Sequence, residues 1–224
     1  MPVIFIDFLV PDRIAYHHLS WDRIRRTSIP PASVVSIDPV SIVKTIFLPL
    51  AVISTLLLVT TLALGLMIED AREASLSHQV DYHLWSSLGG MLFATMVHGL
   101  VMTYFIGTGR WFEETDRAYP HNGDCFAASR KLKSRTILAL IAGFGLLLAA
   151  GTLGAAADPA SPVGFTGWLG IEPATLHLLV ALAAVAVNTW THVVEYTALD
   201  ENQRLIEQMM SHVRRIRDER GLDS

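Results

Sequence analysis

The chain has 224 residues and a formal net charge of −4; 51% of its residues are hydrophobic, 17% are charged, and the mean hydropathy is +0.41. Such an apolar composition indicates an integral membrane protein rather than a water-soluble enzyme. No basic domain stands apart from the rest, which argues against a nucleic-acid partner, and the single cysteine, Cys125, excludes an intrachain disulfide.

Residues 1–44 are predicted to form a cytoplasmic arm before the first apolar stretch. Five prolines divide it into short pieces: Pro2, Pro11, Pro30, Pro31 and Pro39. The pattern over 12–26 favours a short helix with Asp12 as its N-cap, which docks on the membrane surface or on another protein. No basic segment followed by a cleavage site is found near residue 1, so we expect the first span to act as an uncleaved signal anchor.

Four long and nearly uncharged stretches follow, at 45–68, 84–109, 136–157 and 173–197. Each is long enough for a helix of about 20 residues to cross ~30 Å of hydrocarbon. They predict an all-α integral membrane protein whose domain 45–197 is a bundle of four transmembrane helices. The third stretch is rich in small residues that allow close helix packing. No internal repeat is strong enough to predict inverted halves.

The positive charges lie on one side of this pattern. Of the 17 Lys and Arg residues, all except Arg72 fall in the arm, in the segment 110–135 or in the tail 198–224. The two segments that alternate with these are acidic. The positive-inside rule therefore predicts that both termini are cytoplasmic, and we expect a multi-pass protein of a bacterial inner membrane.

His98 lies well inside the second predicted span, on a face of small residues. A polar residue at such a depth is costly, so it suggests a function by default. The string His98-Gly99-x-x-Met102-x-Tyr104-Phe105, within residues 95–111, resembles the heme-bearing second helix of heme-copper oxidase subunit I. That resemblance implies that His98 is an axial ligand of a heme b.

The fourth predicted helix supplies the neighbours of His98. Counted at about 1.5 Å per residue from Trp85 and from Pro173, His177 and His192 miss the level of His98 by roughly 9 Å or more. Asn188 is nearest in depth, so we expect a His98–Asn188 hydrogen bond across the bundle. The alternatives for His98 are a heme or pigment ligand completed by another subunit, and a residue that handles a proton or a substrate.

His192 and Glu195 are three residues apart, on one face of the fourth helix near its inner end. Together with Tyr104, which has a similar depth, they predict an interfacial polar cluster. A diiron carboxylate site is the alternative. It requires a second such pair and further acids inside the spans, and the sequence does not supply them.

An incomplete metal motif precedes the second span. His78, Asp81 and His83 in the predicted outer loop have ligand-like spacing, but two histidines and one aspartate lack a fourth ligand. No catalytic triad, nucleotide-binding loop or complete metal set is found elsewhere in the sequence. The motifs therefore predict no catalytic residue and no cofactor, and heme b or another pigment enters only through His98.

The tail 198–224 has apolar residues at the spacing of a coiled-coil seam, which continues from the fourth helix. We call these six residues the seam: Leu199, Asn202, Ile206, Met209, Val213 and Ile216. They predict that the tail binds a partner helix, from another copy or another membrane subunit. A basic amphipathic helix on the bilayer surface is the rival interpretation.

These patterns favour a non-catalytic membrane subunit that acts as a scaffold, assembly or partner-binding element of a larger complex. The arm and the tail are the expected contacts with other subunits or with a second copy. A redox or pigment-carrying membrane protein that uses His98 is the first alternative, and a small channel or carrier is the second.

Overall fold

The computed structural model describes residues 39–71, 73, 77–119 and 124–221; the predicted arm helix over 12–26 and the last three residues of the tail lie outside this part. It contains four helices, α1 (Pro39–Leu66), α2 (Ser77–Ala118), α3 (Asp124–Ala157) and α4 (Pro173–Glu219). All four are long and apolar enough to cross a membrane. The described residues form no strand, which confirms the all-helical prediction.

Many large apolar side chains lie on the surface of the bundle. Large side chains such as Leu56, Leu92 and Leu138 are more than half exposed. This exposure would be unfavourable over so wide an area in water, whereas hydrocarbon is the solvent in which helices with internally paired backbones present such a surface. The four helices therefore fit a multi-pass membrane protein.

All four helices extend beyond the predicted spans, and α1 begins at Pro39. α2 continues to Ala118, α3 already begins at Asp124, and α4 runs without interruption to Glu219. Ion pairs one turn apart support the extension of α2, where Arg117 bonds to Glu113 at 2.5 Å. The described part of the tail is the last part of α4, as its continuation from the fourth predicted span indicated.

The two ends of the bundle differ in charge. We call the end where α1 begins the basic end, since it carries Lys44, Arg110 and Lys133. The opposite end, with the connections 67–76 and 158–172, is the acidic end, with residues such as Glu69 and Asp158. A salt bridge from Lys44 to Asp200 joins α1 to α4 at the basic end.

The helices pack in a square in which α1 and α3 each contact both α2 and α4. α2 and α4 are therefore diagonal partners, and both run from the acidic end to the basic end. α1 and α3 do not contact each other in the described part of the chain. Side chains from α2 and α4 meet near the centre of the square.

α2 and α4 carry histidines at corresponding positions when residues 94 positions apart are aligned. His83 corresponds to His177, and His98 corresponds to His192. Each corresponding pair is also in ring contact, with centroids 6.1 Å and 4.8 Å apart. The residues that match in sequence therefore face one another across the axis of the bundle.

α1 and α3 carry the same residues at several corresponding positions when residues 89 positions apart are aligned. Leu58 and Leu147 correspond, and both are buried in the same apolar cluster. Gly65 and Gly154 correspond, and each lies against a histidine ring of the following helix. The bundle thus consists of two similar helical hairpins in the same orientation, a parallel relation rather than the inverted one considered from the sequence.

Candidate functional site

Four polar side chains form a buried group in the middle of the bundle, which we call the central cluster: His98 from α2, and Asn188, His192 and Glu195 from α4. The exposed fraction is 5% for both histidines and 0% for Asn188 and Glu195. His98 Nδ1 lies 2.7 Å from Glu195 Oε1, and its Nε2 lies 3.0 Å from Asn188 Oδ1. Both contacts join diagonal helices.

The amide of Asn188 determines where the protons of His98 lie. Its Nδ2 donates to the carbonyls of Gly143, at 3.1 Å, and Ala184, at 2.7 Å. Its Oδ1 is therefore an acceptor, and His98 Nε2 must carry a proton to donate to it. One further proton then lies between His98 Nδ1 and Glu195, as an imidazolium beside a carboxylate or as a carboxylic acid that donates to the ring.

His192 is only partly satisfied. Its Nδ1 lies 2.9 Å from Glu195 Oε2, to which it donates, and its ring stacks on His98 at an interplanar angle of 28°. Its Nε2 is buried and has no hydrogen-bond partner in the described residues. A buried acceptor without a partner is costly, so it indicates a position where another group binds.

The prediction that His192 misses the level of His98 is wrong, whereas His177 does lie at another level, in contact with His83. His98 and His192 lie at one level because α2 begins at Ser77, not at residue 84; His98 is then 21 residues from its helix start, and His192 is 19 residues from Pro173. The predicted hydrogen bond between His98 and Asn188 is confirmed. Both polar groups are close enough to His98 to act on it together.

The described hydrogen bonds do not join Tyr104 to His192 and Glu195. Tyr104 lies one layer closer to the basic end, where Asn202 Nδ2 donates to its Oη at 3.1 Å and to Thr108 Oγ1 at 3.2 Å. Glu195 is therefore an acid of the bundle interior.

The seam is enclosed largely by the chain itself. Leu199, Asn202 and Met209 are buried, and Met209 packs with Phe112 of α2 and Cys125 of α3. Ile206 is half-buried beside this group, and Val213 and Ile216 are half-buried further along α4. In this conformation the chain covers the first part of the seam, and partner binding by the tail stays a prediction.

The predicted metal motif near the acidic end does not come together. α2 already begins at Ser77, so His78, Asp81 and His83 are helical, and residues two apart lie on different faces of a helix. His78 and Asp81 are exposed. His83 turns into the bundle instead, where its ring meets that of His177.

The central cluster offers the donors of a metal site. One ligand atom from each of His98, His192 and Glu195 lies within 4.8 Å of the other two. Two imidazoles and a carboxylate form a ligand set that transition metals such as iron accept. The sequence carries a signal for this set: α2 and α4 each contain a pair of histidines 15 residues apart.

No protein-family model, curated protein or solved structure matches this chain. Its function must therefore be inferred from the chemistry of the buried side chains.

Proposed function

We propose that this chain is a multi-pass membrane protein that carries electrons through a redox-active iron centre bound by His98 and His192. The observation that supports it is the shared carboxylate. Glu195 holds the Nδ1 atoms of both rings, at 2.7 Å and 2.9 Å, although the rings come from diagonal helices. A carboxylate at the outer nitrogen is the usual support for an imidazole whose other nitrogen binds a metal.

The state of the two Nε2 atoms fits this proposal. His192 Nε2 is buried without a partner, so a metal ion would satisfy it. His98 Nε2 gives its proton to a hydrogen bond with Asn188, and a metal would replace that proton, as metal binding to histidine generally does. Glu195 then offsets part of the charge of the ion.

Enclosure favours electron transfer over catalysis at this site. His98, His192 and Glu195 are each at most 5% exposed, so a substrate has no contact with them. An electron needs no channel. A buried ligand shell also sets the reduction potential through burial and hydrogen bonding at the ligands.

The iron is either bound directly or carried by a porphyrin, and the ring geometry favours the direct ion at this level. Two axial imidazoles with metal–nitrogen bonds of about 2 Å place their ring centroids roughly 6 Å apart. The central rings are stacked, with centroids at 4.8 Å. A porphyrin would require them to separate, whereas a directly bound ion would not.

The test uses full-length protein purified from membranes in mild detergent. We expect at least one iron per chain and a spectrum that changes on reduction by dithionite, with a Soret band for heme and none for a direct ion. His192→Leu should lose this iron, whereas the exposed His78→Leu should retain it. Protein without iron, or full iron in the His192→Leu variant, would overturn the proposal.

Orientation is part of the proposal. The charges at the two ends place the basic end in the cytoplasm under the positive-inside rule, in a bacterial inner membrane. Reporter fusions after residues 123 and 224 should be cytoplasmic, and a fusion after Pro162 should be external. A cytoplasmic reporter at Pro162 would exclude four spans. The scaffold function remains a prediction that the described contacts do not address.

A further inference from the structure

We propose that His83 and His177 are the two axial ligands of a heme iron at the acidic end of the bundle. His83 comes from α2 and His177 from α4, and their ring centroids are 6.1 Å apart at an interplanar angle of 76°. This separation matches the roughly 6 Å expected for two imidazoles on opposite sides of one metal, with bonds of about 2 Å. The stacked central rings do not meet that condition.

Each ring is held through its Nδ1 atom by a backbone carbonyl of the neighbouring helix. His83 Nδ1 lies 3.0 Å from the carbonyl of Thr61, and His177 Nδ1 lies 3.1 Å from the carbonyl of Ala150. A carbonyl only accepts, so each Nδ1 carries the proton and donates it. Each neutral ring then has its lone pair on Nε2, and neither Nε2 has a hydrogen-bond partner in the part of the chain described here.

Glycines leave room for the two histidine rings to lie close to the neighbouring helices. A Cβ on Gly65 of α1 would lie 2.8 Å from His83 Cε1, and a Cβ on Gly154 of α3 would lie 3.0 Å from His177 Cε1. Thr61 and Ala150, which accept the hydrogen bonds, each precede their glycine by one helical turn. Each hairpin therefore places a glycine and a backbone carbonyl against one imidazole in the same way. The two imidazoles face each other across the axis of the bundle.

The number of ligands indicates heme rather than a directly bound ion. The site supplies two imidazoles, whereas directly bound zinc or a similar ion takes three or four protein ligands. The nearby carboxylate of Asp81 is on the exposed side of α2. A porphyrin supplies four nitrogens of its own and leaves two axial positions.

The two sites together would carry an electron across the membrane, a role that rests on the function proposed above. His98 and His192 each follow the acidic-end histidine of the same helix by 15 residues, so the levels are about 22 Å apart at 1.5 Å per residue. Transfer is a one-electron exchange: ferrous iron at one level is oxidised to ferric, and ferric iron at the other is reduced. The apolar layer of Leu58, Ala94, Leu147 and Ala184 lies between them.

The experiment counts heme in full-length protein purified from cells supplied with a heme precursor. We expect one low-spin ferric heme from the acidic-end pair, by pyridine hemochromogen assay and electron paramagnetic resonance. His83→Leu and His177→Leu should each abolish that signal, while His78→Leu retains it. Retention of iron at the central cluster in the two variants would show that the bundle still folds. His83→Met, which keeps an iron ligand, should retain heme with a shifted potential.

The outcomes separate the two proposals. Iron without any heme would overturn the acidic-end site and leave the central centre standing. Heme that disappears in His192→Leu but persists in His83→Leu would also overturn it, since the heme would then be central. Heme lost only in His83→Leu and His177→Leu, in protein without further iron, would support the acidic-end site and refute the central one.

Discussion

The acidic-end histidine pair and the central cluster occupy equivalent places on α2 and α4, yet their rings are arranged differently. At the acidic end each ring donates to a backbone carbonyl of its own hairpin. In the centre both rings bond to Glu195, and they stack at 4.8 Å. The acceptor bound to Nδ1 of each histidine therefore decides whether the two rings stay apart or are drawn together.

Two sequence differences between the hairpins account for the different arrangement of the rings. Glu195 in α4 corresponds to Val101 in α2, and Asn188 corresponds to Ala94. Both polar residues lie in the second hairpin only, and both bond to His98. The centre is therefore an asymmetric site within a nearly symmetric bundle. Restoring the symmetry one residue at a time tests which interactions hold it.

Glu195→Val is the change with the largest expected effect, because it gives α4 the residue that α2 has. Both Nδ1 atoms lose their acceptor in a buried environment. Removal of one partner from a buried ionic group typically costs about 3–5 kcal/mol. We expect a loss of stability of this order in detergent unfolding, together with loss of central iron.

Glu201→Val, an exposed acid on the same helix, is the matched control and should change stability little. Heme at the acidic end should persist in Glu195→Val if the two sites are separate. Unchanged stability and iron in that variant would contradict the role we give to the carboxylate.

Gly65→Ala and Gly154→Ala test the other region. The added Cβ would lie 2.8 Å or 3.0 Å from a histidine ring, so the ring must move away from its carbonyl. Overpacking of this kind costs about 1–3 kcal/mol. We expect weaker heme binding at the acidic end, measured by hemin titration, and an unaltered central centre.

Gly145→Ala is the matched control on α3, since nothing lies within 4 Å of a Cβ there. It should stabilise the helix slightly, because alanine is the better helix former. Equal heme affinity in all three variants would show that Gly65 and Gly154 do not position the histidine rings.

The sequence was sufficient for the four helices, since each apolar stretch is long enough to define a span by itself. The sequence was insufficient to predict the depth of each histidine along the axis of the bundle. An error of seven residues at the start of α2 moved His98 by about 10 Å relative to α4, which hid the pairing with His192. The environment of Glu195 was missed for the same reason. Depth depends on how helices dock, which hydropathy does not report.

The repeat and the enclosed seam were hidden for a different reason. Lipid-facing positions accept many apolar residues, so few identities remain between the hairpins beyond the histidines and glycines that make contacts. The seam has the spacing of any packed helix, and spacing alone does not say which helix covers Met209. Its partners, Phe112 and Cys125, come from the same chain.

Asn188→Ala is the smallest of the three changes, and it gives α4 the residue at the equivalent position of α2. His98 Nε2 loses its acceptor, and the carbonyls of Gly143 and Ala184 lose a donor. Interhelical hydrogen bonds in membranes contribute about 0.6 kcal/mol on average and up to about 1.7 kcal/mol, so we expect a loss of about 1 kcal/mol. Thr189→Ala, whose hydroxyl bonds only within its own helix at Val185, is the control.

The double variant Asn188→Ala/Glu195→Val then measures the coupling through His98. With Glu195 absent, His98 is a neutral ring with a single proton, which Asn188 still accepts. A neutral imidazole donates a weaker hydrogen bond than one polarised by the carboxylate. Asn188→Ala should therefore cost less in the double variant than alone, and the two losses should not add. Additive losses, within about 0.3–0.5 kcal/mol, would mean that the amide and the carboxylate act on His98 independently. The proton arrangement inferred for the central cluster would then be wrong.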